Sequence, residues 1–100
     1  MKLLILVNSD QHLEHVLGIA RAAANKKHEV MIFTMDEGVR LLASASFIEL
    51  AGLANLSMSI CKHSAERLEI GLEDLPEEIT VGSQLQNALM AHEADRMVVF

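Results

Sequence analysis

The chain has 100 residues, of which 51% are hydrophobic and 22% charged, with a formal net charge of −6, three Phe, no Trp or Tyr and one Cys. This length suits one domain over residues 1–100 and leaves no room for a second, and the apolar fraction is too high for a disordered tail. Eight scattered Lys and Arg in an acidic chain without aromatic stacking platforms argue against a nucleic-acid partner, and a single Cys cannot close an internal disulfide.

The opening apolar run, Leu3 to Val7, is too short for a secretory core or a membrane span, so no membrane association is expected and the protein is read as cytoplasmic with a reduced thiol. Its unbroken apolar character is that of a strand buried on both faces of a parallel sheet, ended by Asn8-Ser9-Asp10. Leu13, Val16, Leu17, Ala20 and Ala24 then recur at helical spacing, with Asn8, Ser9 or Asp10 as capping candidates. Val30 to Phe33 reads as a second strand, and Asp36 opens a helical segment carrying Val39, Leu42 and Ala43. Ser46-Phe47-Ile48-Glu49 has the form of a capping box for a short helix that Gly52 can end in a left-handed conformation. Leu56-Ser57-Met58-Ser59-Ile60 alternates as a strand does, and Cys61 ends it. Ser64 to Ile70 favours helix with Gly71 as its stop, and Ile79 to Val81 is a short extended piece. Ser83 with Gln86 forms a second capping box, for a helix whose apolar stripe is Leu85, Ala88, Leu89 and His92. Met97 to Phe100 is the last strand.

Strands alternating with helices through short connections predict an α/β fold: a flavodoxin-like three-layer sandwich, a mainly parallel five-stranded sheet with helices on both faces. With strand order 2-1-3-4-5, the topological switch point lies between the first and third strands. The crevice beyond their carboxyl ends then collects Asn8 and Asp10 with Cys61, Lys62 and His63.

Free Cys is commonly a small buried hydrophobe, and Cys61 has that reading. Against it stand its place at a strand end, the amides of the helix that follows, and Lys62 and His63 as neighbouring cations, all of which favour a thiolate. Cys61 to Arg67 also has the Cys-x5-Arg spacing of cysteine phosphatases. Such loops generally use Gly to wrap an anion, and this segment has none and favours helix. His12, Cys61 and His63 have no zinc spacing, so no metal is expected. The first loop carries one hydroxyl and no Gly, which disfavours a flavin phosphate, and no cofactor is expected. Asp36-Glu37-Gly38 is read as a helix start.

The segments Lys2 to Asn8, Phe33 to Val39, Ile60-Cys61-Lys62-His63-Ser64-Ala65-Glu66-Arg67, Val81-Gly82-Ser83-Gln84 and His92 to Arg96 together resemble the DsrE-like family of small sulfur-relay proteins, which includes DsrE, DsrF and TusD. The Cys-x-x-Ser-Ala segment after a strand is the most specific part. The resemblance implies a sulfurtransferase or persulfide carrier: a cysteine accepts sulfane sulfur and passes it between sulfur donor and acceptor proteins, within a homo-trimer or homo-hexamer. By position that cysteine is Cys61; the local reading adds Lys62, His63 and Ser64 as support for its thiolate and Asn8 and Asp10 as lining of the crevice. Relatives often carry Gly shortly after the Arg, where this chain has Glu69 and reaches Gly only at Gly71, so the end of the cysteine helix is expected to differ. The high surface-to-volume ratio of so small a domain gives oligomerisation an independent physical motive. The alternative is a non-catalytic oligomeric binding module in which Cys61 is structural.

Overall fold

The computed structural model describes residues 1–100 as β1 (Lys2–Val7), α1 (Leu13–Asn25), β2 (Glu29–Thr34), a 3₁₀ segment (Asp36–Ala43), α2 (Ala45–Glu49), a 3₁₀ turn (Leu50–Gly52), β3 (Leu56–Cys61), α3 (Lys62–Arg67), β4 (Ile79–Gly82), α4 (Gln84–Glu93) and β5 (Arg96–Val99). All four strand pairs are parallel, as the alternation predicts. The strand order is β4-β3-β2-β1-β5, which corrects the expected 2-1-3-4-5. Each of the first three crossovers moves one strand in the same direction, so right-handedness places all three connections on one face of the sheet. Only the step from β4 to β5 reverses direction, across the full width of the sheet, and it carries α4 over the other face. The switch point therefore lies between β1 and β5.

Two unequal cores follow from this topology. Side chains alternate between faces along each strand. Leu3, Ile5 and Val7 of β1, Val30 and Ile32 of β2 and Leu56, Met58 and Ile60 of β3 join Val16, Leu17, Ala20, Val39 and Phe47 in a cluster of 19 buried residues. The opposite face holds a cluster of five, Leu4, Met31, Phe33, Cys61 and Met90. Each fully buried Leu, Ile or Phe contributes about 2 kcal/mol, so most of the hydrophobic stabilisation sits on the first face. The 3₁₀ segment reaches that core by passing tight against β1: a Cβ on Gly38 would stand 2.4 Å from the Val7 carbonyl oxygen.

The helix ends differ from expectation in an informative way. No glycine has positive φ, so neither Gly52 nor Gly71 closes a helix in the left-handed region. Lys27 (φ 67°) and Glu69 (φ 57°) occupy that region instead. After α1, His28 N–H donates to Ala23 O and Lys27 N–H to Ala24 O; after α3, Ile70 N–H donates to Ala65 O and Glu69 N–H to Glu66 O. Both are Schellman closures built without glycine. At the starts, Ser83 caps α4 by accepting the Leu85 N–H. The other expected caps are absent: α1 starts at His12 without a side-chain cap, the Asp36–Ala43 segment starts at Met35 without one, and α2 starts at Ser44, whose hydroxyl pairs with Ser46. No helix is long and apolar enough to cross a membrane.

Candidate functional site at the carboxyl ends of β2, β3 and β4

Parallel pairing brings three chain segments side by side. Cys61 is in register with Gly82, and Ile60 with Thr34, so the residues leaving β2 (Met35, Asp36), β3 (Cys61, Lys62) and β4 (Gly82, Ser83) emerge at one sheet edge. They enclose a cleft of about 690 Å³, completed by His63, Ser64, Glu66, Val81 and Gln84. A smaller cleft of about 580 Å³ opens at the other end of the sheet beside Lys27, Glu29, Asn55 and Ser57 and contains no thiol.

Cys61 is 3% exposed, and it points to the thinly covered face, as Ser59 and Ser57 do two and four residues earlier. Burial alone pushes its thiol up. Hydrogen bonds from the Ser64 side chain and backbone, the Gln84 side chain and the His63 backbone outweigh that and hold it below its ordinary value. The donors are themselves positioned. Asp36, in the left-handed region at φ 48°, gives its N–H to Ser64 Oγ at 2.9 Å. With that lone pair occupied, the Ser64 hydroxyl proton is free to point at sulfur. Gln84 donates one amide hydrogen to Met35 Sδ at 3.7 Å, which leaves the second for Cys61.

Of the residues expected at the site, Cys61, Lys62, His63 and Ser64 all line the cleft. What favours the thiolate is hydrogen bonding; His63 takes part through its backbone N–H, and the charge of Lys62 does not. Asn8 and Asp10 are a correction. They follow β1, which β2 separates from β3, and they do not line the cleft: Asn8 N–H bonds Phe100 O at 2.7 Å and Asp10 Oδ1 accepts from Gln11 at 2.8 Å. The true switch point beside them gathers the rings of His12, His15 and Phe100, with centroids 6.0 to 6.2 Å apart. His12, Cys61 and His63 do not converge on a common point.

Gln84, Met35, Asp36, Gly82 and Ser83 were not anticipated as site residues. A signal for three of them was present: Val81-Gly82-Ser83-Gln84 follows a strand as Cys61-Lys62 does, and adjacent parallel strands end side by side. A phosphate-wrapping loop is not formed, since residues 62 to 67 are helical. Arg67 turns to Asp36 at 3.6 Å and Glu37 at 3.8 Å, and Arg40 meets Glu37 at 2.9 Å. These half-exposed pairs are worth at most about 1 kcal/mol each, and the two from Arg67 tie α3 to the segment that presents Asp36.

The family model of the DsrE/DsrF-like family matches residues 1–100. Among solved structures, the chain is similar to the ychN protein from E. coli, with a TM-score of 0.74 and 15% identity over 99% of this chain and 97% of that one. It is also similar to MTH1491 from Methanobacterium thermoautotrophicum, a protein of unknown function, with a TM-score of 0.69 and 15% identity over 99% and 98%. At this identity the likeness is one of fold. No curated protein matches the chain.

Proposed function

Because the chain belongs to the DsrE/DsrF-like family, we propose that it is a sulfur-relay protein that carries sulfane sulfur as a persulfide on Cys61. The observation that carries this reading is a thiol at the floor of a cleft whose donors from Ser64, Gln84 and His63 favour the thiolate. In the first step the Cys61 thiolate attacks the outer sulfur of a donor protein's persulfide. The donor S–S bond breaks, the donor thiolate leaves, and Cys61–S–S⁻ forms. In the second, an acceptor thiolate attacks that outer sulfur and the Cys61 thiolate leaves. Electrons balance in each step, so neither an oxidant nor a bound cofactor is called for. The first step consumes the Cys61 thiolate and the second releases it, so the same donors serve loading and delivery. With no second Cys in the chain, the sulfur has to leave to another protein. The setting of this chemistry is a reducing cytoplasm, and the assembly is a homo-trimer or homo-hexamer.

The near-complete burial of Cys61 supports a second reading, a binding module in which the thiol only packs. Mass spectrometry after incubation with a cysteine-desulfurase donor separates the two. Relay requires a gain of one sulfur, absent from Cys61→Ser, that an acceptor thiol removes. An accessible Cys61 that never gains sulfur rejects relay.

A further inference from the structure

A thioether stands beside the thiol. Thr34 pairs with Ile60, so one residue further the same register brings Met35 opposite Cys61, on the face that Met31, Phe33 and Cys61 share, with the two chains about 5 Å apart. Met35 packs against that small cluster and lines the cleft. Its backbone is held on both sides, the N–H donating to Val7 O at 2.8 Å and the carbonyl accepting the Gly38 N–H at 2.9 Å. Among the six methionines its setting is singular. Met31, Met58 and Met90 are buried, Met1 and Met97 are exposed outside the cleft, and half-buried Met35 alone is both in the cleft and open to solvent.

Met35 shares a donor with the thiol. Gln84 Nε2 donates one hydrogen to Met35 Sδ at 3.7 Å, and its other serves Cys61. A thioether is a weak acceptor, so this bond constrains Gln84 little and the amide is left to follow the thiolate. Oxidation inverts that ranking. It turns an apolar side chain into a polar one whose oxygen takes a full N–H···O bond of about 2.9 Å, and the exposed Gln84 side chain is free to turn toward it.

We propose that Met35 is a reversible oxidation site, and that its sulfoxide slows Cys61 by drawing the Gln84 amide away from the sulfur. The oxidant is hydrogen peroxide. A lone pair of Met35 Sδ attacks one peroxide oxygen, the S–O bond forms as the O–O bond breaks, and the departing hydroxide takes the proton of the transferred oxygen and leaves as water. The thioether loses two electrons and the peroxide gains them. Methionine sulfoxide reductases reverse the change. The proposal rests on the relay reading for its consequence: with its thiolate disfavoured, Cys61 takes up sulfur more slowly.

The test treats the full chain with hydrogen peroxide while Cys61 is protected as a methyl mixed disulfide, then frees the thiol with dithiothreitol. Peptide mass mapping is expected to find sulfoxide at Met35 as well as at exposed Met1 and Met97. The pH midpoint of Cys61 alkylation is then expected to rise, with alkylation at neutral pH slowed several-fold, and methionine sulfoxide reductase to restore both. Met35→Leu, oxidised in parallel at its other methionines, is expected to show no rise. Met35→Gln, which puts a carbonyl acceptor at the same place, is expected to raise the midpoint without oxidant, and it serves if the oxidised chain loses its circular dichroism. Met35 that stays reduced while Met1 and Met97 are oxidised overturns the proposal. So does an unchanged midpoint in folded protein carrying the Met35 sulfoxide, or an equal rise in Met35→Leu. Failure of sulfur loading in the wild type bears on the relay reading alone, because alkylation is read without any sulfur donor.

Discussion

A single hydroxyl links the Asp36 turn to the Cys61 sulfur. Ser64 is 3% exposed, accepts the Asp36 N–H and donates toward Cys61, so its loss takes the partner from the Asp36 N–H and removes a donor from the thiolate. Ser64→Ala is expected to destabilise the fold by about 1 kcal/mol and to move the midpoint of Cys61 alkylation upward. Gln84→Ala is expected to move the midpoint the same way at smaller cost in stability, because Gln84 is exposed. The sign follows from linkage. The folded-state value of Cys61 is depressed, so its ionisation adds stability that is fully present above the unfolded thiol's value and is lost as pH falls through the folded one. Iodoacetamide rates against pH, measured alongside urea denaturation, read both effects; a wild-type midpoint at or above that of the unfolded chain rejects the donor arrangement. Cys61, Lys62, His63 and Ser64 were legible in the sequence because they are contiguous and follow a strand. Asp36 was not, because a left-handed N–H aimed at a serine 28 residues away is set by tertiary packing.

At the scale of elements, backbone conformation sets two further outcomes. Lys27 and Glu69 close α1 and α3 in a region where a Cβ costs roughly 1 to 2 kcal/mol, and glycine occupies it freely. Lys27→Gly and Glu69→Gly are each expected to stabilise by about 1 kcal/mol, after allowance for glycine's greater unfolded-state entropy, seen as a higher urea midpoint with unchanged slope. The absence of glycine at residue 69 changed the chemistry of this helix end without removing its geometry: the Ile70 N–H still reaches Ala65 O, and Ile70 still packs on the main core. Glycine is the residue that most often stops a helix, yet α3 ends at Arg67, well before Gly71. Gly38 behaves oppositely. Its backbone passes so close to Val7 that Gly38→Ala must push the 3₁₀ segment off β1, and a loss of about 2 kcal/mol or more is expected by denaturation. Since that segment presents Asp36, the same variant is expected to slow Cys61 alkylation at neutral pH.

For the molecule as a whole, strand order is what local patterns did not determine. Periodicity identified five strands and a parallel sheet, but both 2-1-3-4-5 and the observed order satisfy the same alternation and the same handedness. They differ in how many crossovers cover each face, and that depends on which strands meet. The observed order leaves α4 alone on its face, and this explains why a stripe that reads as core in the sequence is exposed in the fold. It also makes stability uneven. α1 buries Val16, Leu17 and Ala20 in the larger cluster, whereas α4 buries Met90 in the smaller one. A helix held by one buried side chain opens at lower free energy than one held by three, since local opening exposes less apolar surface. Native-state hydrogen exchange at low protein concentration is therefore expected to show α4 amides opening well below the global free energy, while α1 and β1 to β3 approach it. Opening of α4 withdraws Gln84 from Cys61, so exchange at α4 should track the thiol's reactivity. Amides of α4 that exchange only by global unfolding in dilute solution reject this division of the fold into a firm face and a loose one.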